Sequence, residues 1–366
     1  LSTRQLRHVA IANRMAELSN AELLALFAAN PGTRGWGKNH RLEVAGLPVF
    51  VKRVPIAASY GADLYDTADP YNLPGFYHYG VGSAGFGPAR ELATHIKTTN
   101  WVLAGEEARF PLLHHHRFIE NPDPPTQPSE GKAESYVKYW NGAPQVAQLM
   151  QERRAAQQEL VLVLEYVPHT LASWWPENLE AGVAVFEQVI EAVAFLESKG
   201  VVHFDLHLNN IVLDGTRPYI CDFGLVVDGG FRLSPEERRF YEAHRLYDYG
   251  ELLSSVLWPL RVRVDGLGED VKASLRARAG LPEDGAGSFA ILSKLLEQGE
   301  DLREMLPFDV PDAYLELVAR YMPILRLIHP FFMALRERPE KDAVFEAAAL
   351  ARLLEEALGG KPGAGG

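Results

Sequence analysis

A single cysteine, Cys221, stands in 366 residues, so no intramolecular disulfide can form. That accords with a reducing, cytoplasmic setting as the expected location. Long apolar runs are also missing. The best candidate, Tyr321 to Leu335, is interrupted by Arg326, His329 and Pro330, and reads as a buried helix pair rather than a membrane span. The opening stretch LSTRQLRHVAIANRMAEL lacks the apolar core of a secretory signal. With Glu17 and Glu22 close behind, it reads as a short leading helix. Positive charge is in deficit. The 36 Lys and Arg against 48 Asp and Glu leave a net charge of −12, which argues against nucleic acid or an anionic membrane as the main partner. Internal repeats are absent, and nothing in the chain bears on oligomeric state.

What is present divides into a β-rich first part and an α-rich second part, with the boundary near Val167. The expected organisation is a helical extension over 1–30, a β-rich lobe over 31–166 with insertions at 57–87 and 120–158, a helical lobe over 167–358 and a disordered tail over 359–366. Residues 40–54 read as a β-hairpin turning at Gly46 and Pro48. Residues 57–87, rich in Gly, Tyr, Asp and Pro, carry no sustained period, and such a length without regular structure tends to be functional. Pro88 opens a helix closed by Gly105, and the segment FPLLHHHRFI reads as a strand. Residues 121–132 read as a surface loop, and a charged helix near 143–158 leads into the apolar strand LVLVLEYV. The clearest helix spans 182–199, with Phe186, Val189, Ile190, Val193 and Leu196 on one face and Gly200 at its end.

The strongest chemical signal is VVHFDLHLNNIVLDGTRPYICDFGLVVD, residues 201–228. Two apolar strands enclose a polar loop that follows a helix, and a hairpin then leads to a second carboxylate. Asp205, Asn210 five residues on, and Asp222-Phe223-Gly224 twelve residues later supply a carboxylate base and two oxygen donors suited to a hard cation. Polar residues alone would be ordinary turn formers. Their spacing between apolar strands is not ordinary.

This segment resembles the H-R-D-L-x-x-x-N loop and D-F-G triplet of the protein kinase superfamily. The resemblance implies a two-lobed α+β fold, a β-rich lobe above a helical one, and transfer of the γ-phosphoryl group of ATP to a hydroxyl with Mg²⁺. Asp205 falls on the catalytic aspartate, and Asn210 and Asp222 on the metal ligands. Lys52, in VFVKRV, resembles the V-A-I-K lysine that contacts the phosphates, with Glu91 as its ion-pair partner. Glu165 and Val167 fall on the hinge whose backbone meets adenine, and Val212 is a further expected nucleotide-binding residue. Asp248 resembles the buried aspartate that braces the catalytic loop. Ser234-Pro235-Glu236 resembles the end of an activation segment, and Ser234 with Glu237 equally makes a helix-capping box.

Two glycine stretches compete for the phosphate-covering turn. Gly80-Val-Gly82-Ser-Ala-Gly85 matches G-x-G-x-x-G literally, but a helix rather than a lysine-bearing strand follows it. Gly35 and Gly37 stand just before the hairpin that carries Lys52 and are the favoured pair. His114 to His116 alternate faces on a strand, so they are not expected to chelate one ion.

Three departures separate the chain from typical protein kinases. Phe204 replaces the arginine before the catalytic aspartate, and the run from Asp222 to Glu236 is short, so activation by phosphorylation of this segment is not expected. His207 replaces a lysine and is similar to the H-G-D-L-H-x-x-N loop of aminoglycoside phosphotransferases. The stretch between Lys52 and Glu91 is unusually long. The expected acceptor is Ser or Thr of a polypeptide, with a small molecule as the alternative. A nucleotide-binding scaffold without turnover and a nucleotidyl transferase are the rivals.

Overall fold

The computed structural model describes residues 1–34, 37–61, 63–120, 130–282 and 285–359. Two helices open the chain, α1 (Thr3–Glu17) and α2 (Asn20–Ala29), each started by a serine capping box at Ser2 and Ser19. The opening stretch is thus the single short helix expected of it, α1, and α2 follows as a second. Strands β1 (Thr33–Arg34), β2 (Lys38–Val44) and β3 (Leu47–Ile56) follow, with β2 and β3 joined at Ala45 and Gly46. Both turn residues have positive φ, 53° and 73°, the geometry of a two-residue hairpin that matches strand twist.

Residues 57–87 form two short 3₁₀ turns, Ala58–Tyr60 and Gly75–His78, before α3 (Pro88–Ala104), which lies against β3. Strand β4 (Leu113–Glu120), helices α4 (Glu130–Tyr139) and α5 (Pro144–Arg154), and strand β5 (Gln158–Glu165) complete the first region. Helix α4 begins inside the stretch expected as loop. The antiparallel sheet has the order β1-β2-β3-β5-β4.

Both faces of this sheet are covered, which explains the uninterrupted run LVLVL in β5. Val49, Val51, Val161 and Val163 pack beneath Ile11, Met15, Leu23 and Phe27 of the leading helices. Leu160, Leu162 and Leu164 face the main core on the other side.

The second region is mainly helical. After β6 (His169–Thr170) and α6 (Leu171–Trp174), the 20-residue helix α7 (Leu179–Ser198) buries the apolar stripe from Val185 to Leu196. Short strands β7 (Val201–Val202), β8 (Ile211–Leu213), β9 (Pro218–Ile220) and β10 (Val227–Asp228) frame the loops of interest. Helices α8 (Pro235–Ala243), α9 (Tyr247–Leu253), α10 (Trp258–Asp265), α11 (Glu269–Arg278), α12 (Ser288–Glu297), α13 (Leu302–Met305), α14 (Asp312–Glu337) and α15 (Ala347–Leu358) follow.

Helix α14 corrects the helix-pair expectation. It runs unbroken for 26 residues through Pro323 and Pro330. Each proline removes a backbone hydrogen bond, at a cost of about 3 kcal/mol, and burial along the face from Tyr314 to Leu335 offsets it. No helix among the described residues is long and apolar enough to cross a membrane.

Candidate active site

A cavity of about 340 Å³ lies between the sheet and the helical region. Lys52, Glu91, Asp205, His207, Asn210 and Asp222 all line it, although they are spread over 170 positions of sequence.

Lys52 reaches the cavity because strand alternation turns it away from Val51, which is buried under the leading helices. Its Nζ lies 2.6 Å from Glu91 Oε1 and 2.7 Å from Asp222 Oδ1. Burial alone would lower the lysine pKa. The two carboxylates outweigh it, and the pKa is raised, so the ammonium is locked on. Glu91 is pushed up by its own burial against the pull of Lys52. For Asp222 the order of outcomes reverses. Burial raises it, yet Lys52 overcomes that and holds it down at about 2. Asp222 adopts φ +65°, a left-handed conformation uncommon for non-glycine residues.

The loop after β7 is held by two acidic side chains of α9. Asp248 accepts the backbone N–H groups of His203 and Phe204 at 2.7 and 3.0 Å, and Glu251 accepts that of Leu206 at 2.6 Å. Burial pushes Asp248 up to about 7 even though these two N–H groups favour its anion. Phe204 has φ +64° and its ring is fully buried beside Phe240 and Tyr247. His78 of the 57–87 segment joins the same cluster, 5.6 Å from the Phe204 ring. The phenylalanine that replaces the expected arginine is thus an apolar anchor for the insertion.

Asp205 projects from this loop. Asn210 Nδ2 donates to its backbone oxygen at 2.8 Å and to Oδ2 at 3.0 Å, and His207 Nε2 stands 3.8 Å from Oδ1. Burial raises the Asp205 pKa, His207 opposes this and the Asp222 charge adds to it. The result is a more basic carboxylate, as a proton acceptor requires. The amide nitrogen of Asn210 is committed to Asp205, so its carbonyl oxygen is the group left for a ligand. With Asp222 it forms an all-oxygen donor pair, the chemistry that suits Mg²⁺.

Both glycine stretches border the cavity. Gly37 lines it from the hairpin side, whereas Gly35 lies outside the described residues. Gly80, Gly82, Gly85 and Gly87 line it from the other side. A Cβ on Gly80 would stand 2.2 Å from Asp205 Oδ1 and 2.8 Å from the Phe204 carbonyl oxygen. Only glycine allows this segment to lie directly on the loop that carries Asp205. Farther along, the Phe86 N–H donates to the Gly224 oxygen at 2.9 Å.

The expected hinge residues do not line this cavity. Glu165 closes β5 with its N–H donated to the Leu112 oxygen at 2.8 Å, and its carboxylate is held by Arg4 at 2.6 Å. Val167 follows β5, and Val212 sits in β8 opposite Thr170 and Tyr219. Near them, the Arg41 guanidinium lies 4.4 Å from the centre of the Tyr166 ring. Phe50, two residues before Lys52, packs toward the main core, where the V-A-I-K pattern has alanine.

Arg153 of α5 also reaches the cavity wall, unforeseen because its helix reads as a charged surface helix. Ser234 does cap α8, with both arms of the box present. Glu237, rather than Glu236, is the buried carboxylate there, 2.8 Å from Arg90 of α3. His114 contacts His8 at 3.0 Å, and among the described residues no group of three or more His, Cys, Asp or Glu is placed to hold a metal ion.

A sheet-rich region joined to a helical one, with a lysine, an asparagine and two aspartates facing one cavity, defines a kinase-like two-lobed α+β architecture. Residues 135–233 match the family described as the protein kinase domain. This match supports a protein-kinase-like superfamily for the chain and a kinase-type phosphotransferase as its class. A search of curated proteins finds no match.

Proposed function

We propose that the chain transfers the γ-phosphoryl group of ATP to a hydroxyl on a compact acceptor. The observation that carries this reading is the Lys52–Asp222 pair facing the Asp205–Asn210 pair across one cavity. Protein kinases in general use ATP and Mg²⁺. Asn210 and Asp222 would hold the cation, which when bound shields the phosphate charge. Lys52, kept charged by Glu91, binds the phosphates. Asp205 orients the acceptor hydroxyl and takes its proton as the oxygen forms a bond to the γ-phosphorus. The bond from that phosphorus to the β-bridging oxygen breaks, and ADP leaves.

A compact acceptor fits better than the polypeptide expected from the D-F-G triplet. The Gly80 backbone lies against Asp205, and the aromatic cluster around Phe204 fastens that segment to the helical region. An extended peptide chain would have to displace it.

The test is incubation of the full chain with γ-labelled ATP, Mg²⁺ and a whole cell extract, separated afterwards into polypeptide and small-molecule fractions. Label should enter the small-molecule fraction and be lost with Asp205→Asn. Label in polypeptides alone would favour the protein-kinase reading. MgATP binding with no transfer to either fraction would favour a scaffold.

A further inference from the structure

A second cavity, of about 270 Å³, opens on the far side of His207, which borders both. Its walls come largely from α10, α12 and α14, and two arginines stand among its lining residues. Arg261 and Arg336 both line it. Among the described residues, neither has a carboxylate within ion-pairing distance, whereas Arg4, Arg53, Arg90 and Arg109 are all paired. The Nε of Arg261 is buried without a hydrogen-bond partner.

The Arg261 guanidinium feels its surroundings. Burial lowers the Arg261 pKa, Asp265 opposes this and Arg336 lowers it further. His329, on the same wall, is lowered by burial and then by both arginines, so it adds no charge of its own at neutral pH. Glu251, the acidic residue on the wall, already accepts the Leu206 N–H, and burial pushes its carboxyl well up. Arg336 draws it back down, but no ion pair between Glu251 and either arginine forms within 4 Å.

The remaining walls are aromatic. Phe289 stacks on His329 with ring centres 3.8 Å apart, and the Arg261 guanidinium lies 5.5 Å from the Phe289 ring and 5.9 Å from Trp258. Arg336 lies 5.7 Å from the Phe332 ring. In a chain of net charge −12, a half-buried Arg261 with an unpartnered Nε, joined at the pocket's rim by the exposed Arg336, is positive charge that an anion would meet here.

We infer that this cavity is the acceptor subsite, and that the acceptor is a compact molecule carrying an anionic group, carboxylate or phosphate, beside its hydroxyl. The anion sits between Arg261 and Arg336, the apolar body lies against Trp258, Phe289 and Phe332, and the hydroxyl passes His207 toward Asp205. The inference rests on the kinase reading for the role of the hydroxyl, but the anion site itself does not.

The experiment measures binding without turnover. Ligand-observed NMR on the full chain compares 3-(4-hydroxyphenyl)propionate and phenyl phosphate with tyramine, which carries a cation on the same ring. The two anions should bind and tyramine should not, and the tighter anion tells carboxylate from phosphate. Arg261→Met and Arg336→Met keep the apolar stem and should each weaken anion binding by about 10-fold, as loss of a charge-assisted contact does. MgATP affinity, measured by calorimetry, should be unchanged in both. Tyramine binding as well as the anions, or a correctly folded double variant that binds them like the parent, would overturn the inference. Arginine-dependent anion binding in a chain that fails to bind MgATP would uphold the anion site and remove the kinase reading instead.

Discussion

The carboxylate of Asp248 accepts the backbone N–H of His203 at 2.7 Å, so helix α9 anchors the loop that carries Asp205. Burial raises Asp248 to about 7, above the ordinary value of about 4 in an unfolded chain. The folded protein therefore holds this proton more tightly. The stability linked to it is fully present below about pH 4 and is lost as pH rises through about 7, by about 4 kcal/mol at most. Asp248→Asn cannot titrate. Chemical denaturation at pH 4.5 and pH 7.5 should show the parent's advantage over the variant shrinking at the higher pH. An equal difference at both would place the titration elsewhere.

Asp205 and Asp222 should separate binding from chemistry. Asp205→Asn keeps the charge set around the phosphates and should bind MgATP almost as the parent does. Its turnover should fall by about 10² to 10⁴, as expected for loss of a general base. Asp222→Asn removes the charged partner of Lys52 and, on the proposed function, a cation ligand, so MgATP affinity should drop with turnover. Calorimetry beside phosphoryl transfer distinguishes the two, and parental turnover in Asp205→Asn would falsify the base assignment.

Removing Lys52 should destabilise the fold as well as abolish phosphate binding. Lys52→Met leaves Glu91, 3 % exposed, with an uncompensated buried charge. Breaking a buried pair in this way costs about 3–5 kcal/mol. Pairing it with Glu91→Gln should recover part of that loss, because the stranded charge is gone. A double variant whose loss equals the sum of the singles would show that the two residues are not coupled.

Gly80→Ala is expected to damage turnover more than folding. The added methyl group would meet Asp205 Oδ1 at 2.2 Å, so the carboxylate or the segment must move. A displacement near 1 Å at the reacting centre costs about 10²-fold in rate. The check is kcat beside the melting temperature, and a variant with parental kcat would mean that the segment lifts away during the reaction.

Cys221 should resist alkylation. Its Sγ donates to the Asn210 oxygen at 3.3 Å, and burial pushes the thiol up to about 12. At pH 8 the thiolate would be about 10³-fold scarcer than in a free cysteine, with a matching loss of rate toward iodoacetamide. Labelling at the rate of a free thiol would show that the thiol is exposed.

The parts of the site legible in the sequence are those whose spacing is set by local geometry. Asp205 and Asn210 share one loop, and Asp222 ends the hairpin that follows, so their separations survive in the chain. Glu91 was readable because Pro88 marks the first turn of its helix. Glu251 and Arg153 were not, since each meets the site only through tertiary packing of a helix whose sequence reads as ordinary. The role of the 57–87 segment was equally hidden. Gly80 lies against Asp205 because Phe204, His78 and Phe240 cluster far apart in sequence, and no short-range pattern reports such a contact. The prolines of α14 misled for the opposite reason, because local propensity predicted a break that burial overrode.

Arg4 has a mechanical consequence. From the first turn of α1 it binds the Glu165 carboxylate and the carbonyl oxygens of Ala108 and Phe110, and it lies 5.1 Å from the ring of Tyr219 in β9. One side chain thus spans the seam where the sheet passes into the helical region. Any rocking of one region on the other must stretch that clasp, so the leading helix acts as a splint along the back of the joint. Cutting the chain after Ser19 would remove the splint, and with it Ile11 and Met15 from the sheet face behind Lys52, while deleting no residue that faces the cavity.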